Sequence, residues 1–309
     1  MAATCPLCCV SNTSLVETFA FTQLRRLYRK QMKLDLGHRD LSAIDLRRCD
    51  ACDLRFYDPV FSGDEEFYGA LQKADWYYLS EKQEYDFAAQ YISSEDRVLE
   101  LGAGRGAFAA KVRPRSYVGL ELSAAAASQA RQRGIEVYKH SVEEHAKEHA
   151  GNYDVVCSFQ VLEHIPDPRN FIESSLKCLK SGGKLIFSVP REDGFLGRQS
   201  NNALNMPPHH STRWSDTALR AIAGLFHLQI VAFGYDMLSD LHVRSYSVGL
   251  IQNGLNNLLH RRQRSMDALF DSVVVKAPIR LCSLFLEKSL QDRALRPAGH
   301  SVTVVYRKP

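Results

Sequence analysis

A chain of 309 residues, 45% hydrophobic and 24% charged, has apolar material for about two packed domains and too little polarity for general disorder. Its net charge of +4 is scattered, which argues against a nucleic-acid partner, and the basic runs Arg25–Lys33 and Arg261–Arg264 read as solvated helix faces. No run reaches the ~18 apolar residues of a membrane span, and MAATCPLCCV lacks the form of a secretory leader, so a cytoplasmic, reducing compartment is expected.

Five of the eight cysteines fall in the first 52 residues, four of them as two C-x-x-C pairs. In a reducing compartment such pairs read as metal ligands before disulfides. Cys5, Cys8, Cys49 and Cys52 are therefore expected to hold a structural Zn2+ in a closed four-thiolate site. Cys9 is a spare that can replace Cys8. The gap between the pairs, longer than in compact zinc ribbons, is filled by a helix predicted over Phe19–Leu34, where Phe21, Leu24, Leu27 and Tyr28 recur at helical spacing. This zinc-binding module covers 1–59. A helical linker or lid follows over 60–93, rich in aromatics, among them Phe67, Tyr68, Trp76, Tyr77 and Tyr78. Tyr77 and Tyr78 read equally as a lid over a ligand and as ordinary helix packing.

From 94 to 309 short β-like runs alternate with helical ones, the pattern of an α/β domain with a seven-stranded, mostly parallel sheet covered on both faces. Strands are predicted at Arg97–Leu101, Tyr117–Glu121, Ile135–Lys139, Asp154–Phe159, Lys184–Val189, Leu228–Phe233 and Ser301–Tyr306. Helices are predicted near 106–113, 123–133, 142–149, 168–180 and 215–225, with a helical insertion at 236–298.

The first of these strands runs into Gly102-Ala103-Gly104-Arg105-Gly106-Ala107. Glycines there let the backbone turn sharply and lie against a ligand. The next strand ends in Glu121, placed to accept hydrogen bonds from both hydroxyls of a ribose. On these residues alone a dinucleotide fingerprint remains open, since Gly102, Gly104 and Ala107 also fit G-x-G-x-x-A.

Three later features narrow the reading: Tyr153 to Pro168 as a strand and loop, Leu179 to Leu185 as the turn into the next strand, and Ser141-Val142-Glu143 after the third strand. With the glycine turn, and in this order, they resemble the class I S-adenosylmethionine-dependent methyltransferases over about 93–190. The resemblance implies S-adenosyl-L-methionine as cofactor, with Gly102 and Gly104 beside its methionine part and Glu100 near its ammonium. It places Glu121 on the ribose, Leu122 and Val142 around adenine with Ser141 or Glu143 at its edge, and Phe159 and Gln160 about the methionine end, while Tyr78 is a cofactor contact as part of the lid. Ser141 departs from the family's usual acidic residue.

The cysteine pairs, Leu54, Phe56, Pro59 and Tyr77-Tyr78 further resemble a bacterial subfamily with an N-terminal zinc-binding region, whose relatives include sugar C-methyltransferases. Asp53 stands where most of its members have glycine. The loop Asn202–Trp214, with Pro207, Pro208, His209 and His210, follows the fifth strand on the side where open α/β sheets bind ligands. His164 and His210 are candidate catalytic groups: His164 for proton removal, with a structural role equally open, whereas His209 and His210 read as structural or substrate-orienting before they read as bases. The expected partner is a small-molecule methyl acceptor, a sugar or nucleotide-linked sugar. RNA held by the zinc module is the alternative, and a cofactor-binding protein without catalysis and a nicotinamide enzyme are weaker ones. Oligomeric state leaves no mark on the sequence.

Overall fold

The computed structural model describes residues 3–37, 39–74, 77 and 79–309. The chain opens with β1 (Thr13–Ala20), α1 (Phe21–Gln31), β2 (Ala43–Cys49), β3 (Arg55–Asp58), α2 (Glu65–Leu71) and α3 (Gln83–Ala89). It continues through β4 (Arg97–Leu101), β5 (Ser116–Leu120), α4 (Ala124–Gln132), β6 (Glu136–Tyr138), α5 (Val142–His145), β7 (Tyr153–Phe159), α6 (Pro168–Cys178) and β8 (Leu179–Pro190). The last elements are β9 (Thr212–Arg213), α7 (Asp216–Leu225), β10 (Gln229–Met237), α8 (Asp240–Leu258), α9 (Val273–Ser289) and β11 (Ala298–Arg307).

The large sheet has the order β10-β11-β8-β7-β4-β5-β6. From β8 to β6 neighbours run parallel, and β11 is antiparallel to both β8 and β10. Side chains alternate across it. Leu99, Leu101 and Val156 pack with Phe171, Ile172, Leu219 and Ile222 on one face, while Val98, Val155 and Cys157 pack with Tyr85, Ala88 and Phe108 on the other. Burial of each large apolar side chain contributes roughly 1.5–3 kcal/mol. The chain leaves β4 toward β5 on one side and returns to β7 on the other. The loops after β4 and β7 therefore open a crevice at the carboxyl ends of the strands, where such sheets bind ligands.

The seven predicted strands are all present in this sheet. The helix predicted over 106–113 is only a 3-10 turn, Phe108–Ala110, because Arg113 precedes Pro114 and is turned away from helical backbone. The helix predicted over 142–149 stops at His145.

A second sheet, β1-β2-β3-β9, is antiparallel throughout. Its first strand corrects the helix predicted from Phe19. Glu17 and Phe19 are buried while Thr18 between them is exposed, a period of two that belongs to a strand. Helix α1 then buries Phe21, Leu24, Leu27 and Tyr28 against Ile44, Leu46, Tyr57, Phe67 and Met206. Its last strand, β9, lies in the loop after β8, so residues far apart in sequence complete the N-terminal sheet.

Candidate functional site

Gly102 and Gly104 have φ of +75° and +54°, the left-handed region that glycine enters without a steric cost. A Cβ at Gly102 would stand 2.4 Å from Val161 Cγ2. The N–H groups of Gly102 and Ala103 donate to the Leu120 carbonyl at 2.8 and 2.9 Å, fastening the turn to the end of β5. Glu121 follows at once. Its Oε2 accepts from the Gly104 N–H at 2.8 Å and its Oε1 from the Ser123 N–H at 2.7 Å. Burial raises this carboxyl's pKa, and the Ser123, Gly104 and Leu122 N–H groups oppose the rise. Each oxygen keeps a lone pair for a further donor.

The turn and Glu121 line a cavity of about 1430 Å³, shared by Leu122, Ser141, Val142, Phe159 and Gln160. Leu122 is exposed and Val142 buried, two apolar surfaces, one on the loop after β5 and one at the start of α5. Ser141 caps α5 by accepting from the Glu144 N–H at 3.2 Å. Gln160 sits just beyond β7 at φ +58°, a strained conformation for a non-glycine residue and a common mark of a ligand-binding turn. Its amide donates to Ser301 Oγ at 3.1 Å.

Glu100 does not join them. It lies 2% exposed on β4, takes a hydrogen bond from the Tyr117 hydroxyl and is not among the residues that line the cavity. Burial pushes its carboxyl up to about 7. The residue lies one position before Leu101, whose side chain takes the opposite face. Tyr78 lies outside the described residues. Tyr77 does line the cavity and meets the His209 ring edge-on at 6.4 Å.

Beyond β7 the same cavity is lined by Glu163, His164, His209 and His210. His164 lies at a 3-10 turn after β7, and the other two come from the loop after β8. Their ring centroids are 4.6–5.0 Å apart. Burial drives His164 down to about 4 and His209 to about 3, and His210 well below its usual range, so all three rings are neutral at pH 7. The Glu163 carboxyl is pushed up to about 8 by the same burial. Glu163 was not expected, because beside His164 it reads as one more polar loop residue. Only the return of the β8 loop covers it.

That loop is fixed from the N-terminal side. The Tyr57 hydroxyl donates to the Asn205 carbonyl at 2.8 Å, and the Tyr28 hydroxyl lies 2.7 and 2.9 Å from the Ala203 and Met206 carbonyls. Behind it, buried Arg213 pairs with Glu192 at 2.8 Å, and Arg55 binds the same carboxylate.

The four thiols of Cys5, Cys8, Cys49 and Cys52 lie within 4.8 Å of one another. Cys5 and Cys52 sulfurs are 3.6 Å apart, Cys8 and Cys49 sulfurs 3.4 Å. Four Zn–S bonds of about 2.3 Å in a tetrahedron place sulfurs about 3.8 Å apart, so the spacing fits a metal. The two turns match each other. Cys9 and Asp53 N–H groups donate to the Cys5 and Cys49 carbonyls at 3.0 and 2.9 Å, and both residues take left-handed φ, +61° and +66°. Position 53 therefore calls for glycine or a residue such as Asp that tolerates that backbone. Cys9 is its exposed counterpart and stands outside the ligand set.

Comparison with known proteins bears on this geometry. A family described as "Methyltransferase domain" matches residues 74–232, just over half of the chain. The chain belongs to that methyltransferase family. It is 36% identical over 101 residues to a ubiquinone biosynthesis O-methyltransferase of Cronobacter sakazakii, covering 30% of this chain and 42% of that protein. The Escherichia coli protein of the same name is 35% identical over 106 residues, covering 32% of this chain and 44% of that protein. The matches thus span less than half the length of these curated relatives. In fold, the chain is similar to a SAM dependent methyltransferase from Archaeoglobus fulgidus, with a TM-score of 0.50 and 16% identity over 79% of this chain and 100% of that one.

Proposed function

We propose that this chain transfers a methyl group from S-adenosyl-L-methionine to a small hydroxylated acceptor, a sugar or nucleotide-linked sugar. One observation carries the reading. The Glu121 carboxylate is turned onto the Gly104 N–H, so a paired oxygen acceptor and a bare backbone turn face one cavity at the switch point of the sheet. That donor set fits adenosine. Glu121 would accept from both ribose hydroxyls, Leu122 and Val142 would enclose the adenine with Ser141 at its edge, and the Gly102–Gly104 backbone would lie along the methionine part. Phe159 and Gln160 would bound the end nearest the acceptor. Glu100, buried with Tyr117, would act on the cofactor only through the strand that carries it.

When bound, the cofactor supplies a methyl already activated as a sulfonium, so the chain's task is to align a nucleophile. Alignment lowers barriers by on the order of 7–11 kcal/mol in favourable intramolecular systems. Neutral His164 and His210 would orient the acceptor and take the proton it loses. The polar lining beyond them, with Asn202, Asn205 and Ser245, supports an acceptor bearing several hydroxyls. The cysteine cluster would hold one Zn2+ as a structural brace, its four thiolates leaving no open position. Free thiols of this kind suit a reducing compartment such as the cytoplasm.

The test is a methyl-release assay against nucleotide sugars, phenolic quinone precursors and RNAs. Turnover with a nucleotide sugar supports the acceptor class, and turnover with RNA or a phenol alone would remove it.

A further inference from the structure

His164, His209 and His210 share an arrangement that proton transfer does not require. In each ring Nδ1 faces an oxygen that only accepts: the His209 carbonyl for His164, the Leu204 carbonyl at 2.9 Å for His209, and Asn205 Oδ1 at 3.2 Å for His210. Each Nδ1 therefore carries the proton and each Nε2 carries the lone pair. One ring nitrogen of each lies within 4.8 Å of one in each of the other two. His209 Nε2 is buried with no hydrogen-bond partner, and so is Oε2 of Glu163, which is 1% exposed. Glu163 Oε1 stands 3.8 Å from His164 Nε2 and 4.0 Å from His210 Nε2, beyond hydrogen-bond reach. Buried polar atoms left in this way are costly, and a native site normally satisfies them.

We propose that His164, His209 and His210, with the Glu163 carboxylate beside them, bind a divalent transition-metal cation of the zinc class in the wall of the cavity. Imidazole nitrogens suit zinc, copper, iron and nickel. Backbone or amide oxygens on each Nδ1–H are the outer-shell partners that fix a metal-ligating histidine. Bonds of about 2.0–2.1 Å in a tetrahedron set ligand atoms about 3.4 Å apart, so a small inward movement of the rings and of Glu163 closes the site. Three imidazoles and one carboxylate fill the tetrahedron, so the cation braces the wall of the cavity, and proton removal by His164 and His210 belongs to the metal-free chain. Binding of the cation is independent of whether the chain transfers a methyl, so its failure and that of the proposed activity are separable.

Co2+ is the probe. The full chain, stripped of metal, is titrated with Co2+ and the bound equivalents are counted by emission spectroscopy and absorbance. The cysteine cluster reports through thiolate charge-transfer bands in the near ultraviolet; the histidine site has none. The expected result is one equivalent without those bands in the wild type, lost in His209→Ala. In Asn205→Ala, which removes the partner of His210 Nδ1 together with a long 3.4 Å bond from Asn205 Nδ2 to the Leu196 carbonyl, Co2+ affinity should fall about 10- to 100-fold. Far-ultraviolet circular dichroism shows that each variant is folded. A wild-type titration in which every bound equivalent carries thiolate bands overturns the site, whatever the variants do.

Discussion

Glu121 is held by two main-chain N–H groups before any ligand arrives, so little ordering remains for a ribose to impose. Glu121→Ala is expected to weaken S-adenosylmethionine binding by about 1–3 kcal/mol, the usual cost of an unmade hydrogen bond to a charged group. Calorimetric titration reads it, and an unchanged Kd would take the ribose role away. Glu100 supplies a pH prediction. Its carboxyl sits near 7 when folded against about 4.5 in a free chain, so the folded state holds the extra proton between those values. Stability is then greatest below the lower value and falls as pH rises through the higher one. The loss is on the order of 3 kcal/mol if the whole shift is expressed. Glu100→Gln should flatten that fall between pH 5 and 8 in urea titrations, and the wild-type slope persisting in the variant would contradict it.

Among the elements, the strand–turn–strand rhythm of β4 to β8 was legible because strands buried on both faces read as near-continuous apolar runs bounded by glycines. Both cysteine turns were legible from their spacing, and the fold brings the four thiols within 4.8 Å of one another. The N-terminal sheet was not. Strand β1 begins amid polar residues, and β9 is two residues of a loop, Thr212 and Arg213, that only pairing with Arg55 and Phe56 makes a strand. Likewise Glu163, Tyr28 and Tyr57 gain meaning only when the β8 loop comes back over them. Two predictions belong here. Cys49→Ser should lose one metal equivalent and lower the thermal midpoint by several degrees, as expected when a metal is part of the folded state; full metal content would rule out that ligand set. Tyr57→Phe leaves the buried Asn205 carbonyl without its donor, at a cost of about 1–3 kcal/mol. It should raise KM for the acceptor while Kd for the cofactor stays fixed. A shift in cofactor Kd alone would show that the tyrosine does not act through the acceptor loop.

At the scale of the whole molecule, two sheets contribute to one cavity, the large one by lining it and the small one by holding a loop that does. The large sheet brings the glycine turn, Glu121 and the β7 turn to its switch point, and the small sheet grips the loop that carries His209 and His210. The end lined by Glu121 and the end lined by His209 and His210 are thereby built from different parts of the chain. No helix among the described residues is long and apolar enough to cross a membrane. The account depends most on what the cofactor end accepts. Equilibrium titration of the purified chain with S-adenosylmethionine and, separately, with NADPH decides it. The account predicts saturable one-to-one binding of S-adenosylmethionine and none of NADPH. Binding of NADPH with no binding of S-adenosylmethionine would contradict it.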